Sequence, residues 1–223
     1  MKEPRIEVRV LLSILLAAVL VVVMDSVIMP ILVEFYFRAS VALVFAYDFG
    51  VVLLSGLAGL FFARRVGLPY WWRPIDGSND LVRRTYVPVL LGLSIVILNT
   101  ANSLVNINEA LQAAPWITLL TPEGVIALSF RAALNEEILF RFFIFTFVAW
   151  ASMHFAHSRT ISFVIGALVS SIAFGLIHGL GFIWAFFVGL ALTYIFCQRG
   201  LLPAMIVHFF GVAIPFLLVS MMI

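Results

Sequence analysis

Two carboxylates and a guanidinium stand where an apolar helix should carry none. The stretch Arg131-Ala-Ala-Leu-Asn135-Glu136-Glu137-Ile-Leu-Phe-Arg141 lies inside a long hydrophobic run. Each ionisable group in a membrane span costs about 2.5–3.5 kcal/mol on insertion scales, so Glu136, Glu137 and Arg141 must face the protein interior or a wet cavity. On an α-helix, Glu137 and Arg141 lie only about 40° apart and form an i,i+4 pair able to neutralise itself. Glu136 lies about 140° from Arg141 around the axis and is left without a local counter-ion. A buried carboxylate of that kind suits a general base. Two histidines stand in other apolar stretches, in Phe174-Gly175-Leu-Ile-His178-Gly179 and in Pro203-Ala-Met-Ile-Val-His208. One such histidine is ordinarily an interhelical hydrogen-bonding residue. Two of them with an unpaired glutamate make a set that activates water, with or without a metal. His154 and His157, beside Arg159, are expected to be solvated.

The elements that must position these groups are membrane helices. Hydrophobic residues make up 64% of the 223 positions and charged residues 11%, against about 25% in soluble chains. Lys2 is the sole lysine, and between Thr160 and Ile223 the only charge is Arg199. That composition excludes a disordered chain, a disulfide scaffold and a nucleic-acid binder; the single Cys197 says nothing of redox compartment. Runs of about 20 apolar residues predict seven spans, near 10–33, 41–62, 86–107, 123–152, 160–178, 182–198 and 203–222. These runs do not alternate in polarity, which rejects transmembrane strands. The expected fold is all-α, a polytopic helix bundle with its cavity within the membrane. The first span mimics a signal peptide, but its run is too long and lacks a cleavage site.

Basic residues set the expected orientation. Lys2, Arg5, Arg9, Arg64, Arg65, Arg73, Arg83, Arg84, Arg159 and Arg199 fall on one side and Arg38 on the other. This puts the N-terminus in the cytoplasm and the C-terminus on the far side of what is expected to be a prokaryotic plasma membrane. The 63–85 loop also carries Pro69, Tyr70, Trp71, Trp72 and Pro74, which read as an interfacial aromatic anchor. The absence of matched, Gly/Pro-broken halves disfavours an inverted-repeat transporter.

The order Glu136-Glu137-x-x-x-Arg141, then Phe174-x-x-x-His178, then His208 resembles the CPBP family, which takes in CAAX prenyl proteases of the Ras-converting type and the bacteriocin-processing Abi proteins. The likeness covers roughly residues 120–215 and includes the lead-in Gln198-Arg199-Gly200-Leu-Leu-Pro203-Ala204. It divides the chain into N-terminal spans over 1–119 and a catalytic core over 120–223. It implies an intramembrane endopeptidase acting on a membrane-associated or lipidated protein or peptide, with membrane lipid as its other partner. By that resemblance Glu136 activates the attacking water, His178 assists, and His208 helps hold the oxyanion. Glu137 with Arg141 fixes the geometry, and Phe174 walls the pocket beneath His178.

The sequence departs from the family at Val212, where the third motif usually has an asparagine sharing the oxyanion role. Losing such a donor costs about 100–1,000-fold in rate. Substitutes could come from Asn99, Asn102 and Asn106, which line one helix face, or from Asn135; the plainer reading of that stripe is interhelical hydrogen bonding. The same departure favours the alternative, a non-proteolytic immunity or scaffold protein that keeps the fold. Glu136, His178 and His208 would form a His₂Glu zinc set if a metal were used, but no His-Glu-x-x-His motif fixes two ligands on one helix, and a metal-free glutamate mechanism without cofactor is preferred. Straight, vertical spans would hold Glu136, His178 and His208 at different depths. The site therefore requires tilted, short or re-entrant helices.

Overall fold

A computed structural model describes residues 8–35, 41–72, 85–113, 118–156 and 158–222. Lys2, Arg5, Arg38, Arg73, Pro74, Arg83, Arg84 and His157, used above for orientation or surface assignments, lie outside the described residues. The elements among the described residues are all helical, in the order α1 (Val8–Phe35), α2 (Val41–Val66), α3 (Val87–Val105), the short α4 (Ile107–Ala113), α5 (Pro122–Glu136), a π-helix (Glu137–Phe145), α6 (Thr146–Ala156), α7 (Arg159–Ile177), a 3-10 turn (Gly179–Gly181), α8 (Phe182–Arg199) and α9 (Leu201–Met222). Among the described residues, seven helices are long and apolar enough to cross a membrane; α5, the π-helix and α6 form one of them, Pro122–Ala156. The expected all-α bundle is what the chain forms, with each span within a few residues of its hydrophobic run.

The Pro122–Ala156 span is the axis of the bundle. α1, α2, α7 and α9 all pack on it, and α8 is clamped between α7 and α9. Thr121 caps its start, its hydroxyl accepting from Gly124 N at 3.2 Å. Pro122 occupies the first turn, where a missing N–H costs nothing. α3 is the least buried span and packs only on α9 and α8 among the long helices in substantial contact. Its inner side, with α5, α7, α8 and α9, encloses a cavity of about 510 Å³.

The π-helix corrects the α-helical spacing assumed for Glu137 to Arg141. A π-turn closes i→i+5 bonds, so the backbone is wider there and needs help from neighbours. That help is visible. The Thr146 hydroxyl donates to Phe142 O at 2.5 Å, and the Ser170 hydroxyl of α7 donates to Phe140 O at 2.7 Å. Close approach on both flanks requires the absence of a side chain. A Cβ on Gly59 of α2 would come 2.6 Å from Phe142 O, and one on Gly166 of α7 would come 2.9 Å from Phe145 O.

The aromatic stretch after α2 also holds the start of α9. Tyr70 and Trp71 run beneath the α8–α9 turn, and their carbonyls accept from Leu201 N and Leu202 N at 2.9 Å each. Two of the orphan amides at the start of α9 are thereby satisfied. Gly200, at φ 97°, lies against the Trp71 and Trp72 backbone, where any Cβ would clash at 2.7 Å. Trp72 remains exposed, with Arg199 over its ring at 5.1 Å, and keeps the surface character expected of it.

Candidate active site

Five of the sequence-selected residues meet around Glu136. Its Oε2 lies 3.9 Å from His178 Nε2 and 3.7 Å from His208 Nε2. The carboxylate is mostly buried, with 22% of its side chain exposed, and Oε2 makes no direct hydrogen bond. Glu136, His178, His208 and Phe174 all line the cavity.

Each histidine is oriented through its other nitrogen. His178 Nδ1 is 2.7 Å from Phe174 O, and a carbonyl only accepts, so Nδ1 carries the proton. His208 Nδ1 is 2.8 Å from Glu137 Oε1, which fixes the same tautomer. In both rings Nε2 is thereby the nitrogen left facing Glu136. This is the usual way a supporting acceptor sets the working nitrogen of a histidine.

Glu137 and Arg141 supply the support behind them. Both are fully buried, and Arg141 Nη1 lies 3.1 Å from Glu137 Oε1, the pairing expected from the sequence. The contact is an ion pair without the alignment of a hydrogen bond, and the remaining guanidinium N–H groups have no acceptor among the described residues. What they have is a ring: Arg141 Cζ sits 4.0 Å from the centre of Phe174. Phe174 in turn stacks under His178 at 4.5 Å and meets His208 edge-on at 5.8 Å. One phenyl ring thus touches the cation and both imidazoles.

The three residues do converge, as the 3.7 and 3.9 Å separations show, and at His178 a helix end contributes. α7 stops at Ile177, and His178 is its C-cap at φ −92°, ψ 3°. Helical side chains lean towards the N-terminus, so the His178 ring folds back one turn onto Phe174. No re-entrant segment is needed among the described residues; the chain passes through the short Gly179–Gly181 turn directly into α8.

The asparagine candidates separate. Asn135 points away from the cavity, its amide donating to Asp48 Oδ1 at 2.9 Å. Asn106 ends α3 and donates to Asn102 Oδ1 at 3.0 Å. Asn99 is the one beside the departure at Val212. Its Nδ2 donates one hydrogen to Gly211 O at 2.9 Å, and its Oδ1 accepts from Trp184 Nε1. Asn99, Gly211 and Val212 all line the cavity.

One polar cluster escaped the sequence reading. Arg131 Nε lies 2.5 Å from Asp25 Oδ1 of α1 and 3.0 Å from Asp48 Oδ2 of α2, and its Nη2 also reaches Asp48. Both aspartates are buried. Each is a lone carboxylate within an apolar span, and that alone was a signal.

Glu136, His178 and His208 are the residues that would hold a zinc ion if one were bound. Zinc bonds of about 2.1 Å in a tetrahedron put neighbouring donors about 3.4 Å apart. Here Glu136 Oε2 stands 3.7 and 3.9 Å from the two nitrogens, so a small side-chain adjustment would bring the three donors to that spacing.

Residues 117–214 match the family model described as type II CAAX prenyl endopeptidase, Rce1-like. The resemblance drawn from the motifs is thus borne out over that stretch, and the match indicates a protease of the membrane. No curated protein and no solved structure gives a significant match to the chain.

Proposed function

We propose that this protein is an intramembrane endopeptidase in which Glu136 activates the water that attacks a peptide carbonyl. The supporting observation is Glu136 Oε2 flanked by two oriented imidazole nitrogens at 3.9 and 3.7 Å on the wall of a cavity of about 510 Å³. Glu136 takes a proton from water as the oxygen bonds to the carbonyl carbon. The carbonyl π pair moves onto oxygen, and the same proton then goes to the leaving amine nitrogen as the C–N bond breaks. His178, through Nε2, holds the water against Glu136. His208 stabilises the oxyanion when Nε2 also carries a proton, with Glu137 on the Nδ1 side balancing the imidazolium charge. Glu137, Arg141 and Phe174 hold these rings in place. Asn99 supplies the amide that Val212 cannot: one of its two N–H bonds is committed to Gly211 and the other is left for the oxyanion.

The site lies within the bundle, so the substrate is a lipidated or hydrophobic peptide segment that reaches it through the membrane. The N-terminus is cytoplasmic on the arginine distribution. No metal takes part in the proposed steps. Comparing new protein N-termini in membranes holding wild-type protein with those holding Glu136→Gln tests the reading: Glu136-dependent termini are expected. If none appear and Glu136→Gln keeps the wild-type phenotype, the chain is a scaffold retaining the fold, the reading that Val212 favours.

A further inference from the structure

We infer that the end of the bundle where α2 finishes and α7 begins binds one anionic phospholipid, with its phosphate between Arg65 and Arg159 and an acyl chain along α7 and α8. The inference is independent of the catalytic reading. A pocket of about 440 Å³ lies there, lined by Arg64, Arg65 and Arg159 with Ser158, and no carboxylate lines it among the described residues. Arg65 and Arg159 are exposed; Arg65 lies over the Phe61 ring at 3.4 Å with Nη1 3.4 Å from Phe61 O, which leaves its other N–H groups for a ligand. Arg159 is also held in place: its Nη2 donates to Val66 O at 2.8 Å. The positive end of α7 adds to the field, because Arg159 is its first residue.

A second, separate feature says what kind of anion fits. Arg159 also borders a groove of about 530 Å³ that runs between α7 and α8, with Phe163 and Ala167 on one side and Leu190 on the other. Its polar end is made by Arg159, Thr160 and Gln198, and the Arg159 guanidinium lies 5.1 Å from the Phe163 ring. A basic pocket thus adjoins the end of an apolar trough, with one arginine shared. From Arg159 to Ala167 the trough runs about 12 Å at 1.5 Å per residue, close to one leaflet's half of a hydrocarbon core of about 30 Å. Bare phosphate would fill only the pocket, and a zwitterionic lipid would bring its own cation to three arginines. Basic pockets between helices at the positive side of a membrane take anionic headgroups for this reason.

The test uses the full chain in detergent after delipidation, with thermal unfolding as the readout. Phosphatidylglycerol should raise the midpoint saturably, phosphatidylcholine of the same acyl chains should do so far less, and inorganic phosphate should not. Arg65→Gln should weaken half-saturation by phosphatidylglycerol about fivefold, the ratio for one basic residue at an anionic surface. Ala167→Phe, which fills the trough and leaves every arginine in place, should weaken it too. Each variant is compared with its own lipid-free midpoint, so altered stability does not confuse the result. Equal gains from the two lipids, a full gain from phosphate alone, or undiminished phosphatidylglycerol binding in both variants would overturn the assignment.

Discussion

Two polar clusters sit little more than a turn apart on the Pro122–Ala156 span, and they spend their charges differently. In the first, Arg131 is gripped by Asp25 and Asp48 from two other helices, while Asn135 donates to Asp48. Every strong contact there is a direct ion pair or hydrogen bond, and the cluster ties α1 and α2 to the bundle axis. In the second, Glu137, Arg141 and His208 are packed into direct contacts, but Glu136 is not: its partners stand 3.7 and 3.9 Å away and its Oε2 is unpaired. The first cluster is closed in that its charges meet opposite ones, although Asp25 Oδ2 and Asn135 Oδ1 have no hydrogen-bond partner among the described residues; the second is open, because its unpaired Glu136 Oε2 lies at the cavity wall. Buried polar groups ordinarily find partners, so an unpaired one at a cavity wall marks where chemistry is expected.

That contrast predicts how stability should fall, from the largest loss to none. Arg131→Met leaves Asp25 and Asp48 facing each other without their cation. Breaking a buried pair costs about 3–5 kcal/mol, and stranding two carboxylates belongs at the upper end. Folded yield and thermal midpoint in detergent should both drop sharply, and adding Asp25→Asn and Asp48→Asn to the same chain should restore much of the loss. Glu137→Gln comes next, at about 3 kcal/mol, because Arg141 loses the one carboxylate in direct contact with it among the described residues and keeps the Phe174 face. Pairing it with Arg141→Met should recover stability without restoring activity. Asp25→Asn should cost about 1 kcal/mol, since Arg131 retains Asp48. Glu136→Gln should leave the midpoint unchanged or slightly raised, since it removes a buried charge that has no direct partner. A thermal series in which Glu136→Gln falls furthest and Arg131→Met is silent would reverse the two clusters.

The open cluster was legible in the sequence because charge and histidine in apolar helices are conspicuous whatever their partners. Glu136, Glu137, Arg141, His178 and His208 could be named from type and spacing, and Phe174 from the family resemblance. The closed cluster was not assembled, although Asp25, Asp48 and Arg131 are equally out of place in apolar spans. Their partners lie 106 and 83 positions apart, and no local periodicity connects them. The π-helix was likewise invisible, because reading with a 3.6-residue period presupposes the α-helix it replaces. The docking of the Tyr70 and Trp71 carbonyls onto α9 is a backbone event, to which aromatic composition gives no clue. The C-cap position of His178 and the fold of its ring onto Phe174 were equally hidden, because a hydropathy run does not show where a helix ends.

The most direct measurement is turnover by purified protein on a peptide spanning a Glu136-dependent cleavage site, with a divalent-metal chelator present throughout. Wild-type protein should keep its rate under chelation, and Glu136→Gln should lose about 10²–10⁴-fold in kcat at an unchanged thermal midpoint, the usual worth of a positioned general base. Full activity in Glu136→Gln, or a wild-type rate that collapses with chelator and returns with zinc, would contradict a glutamate acting on water without a metal.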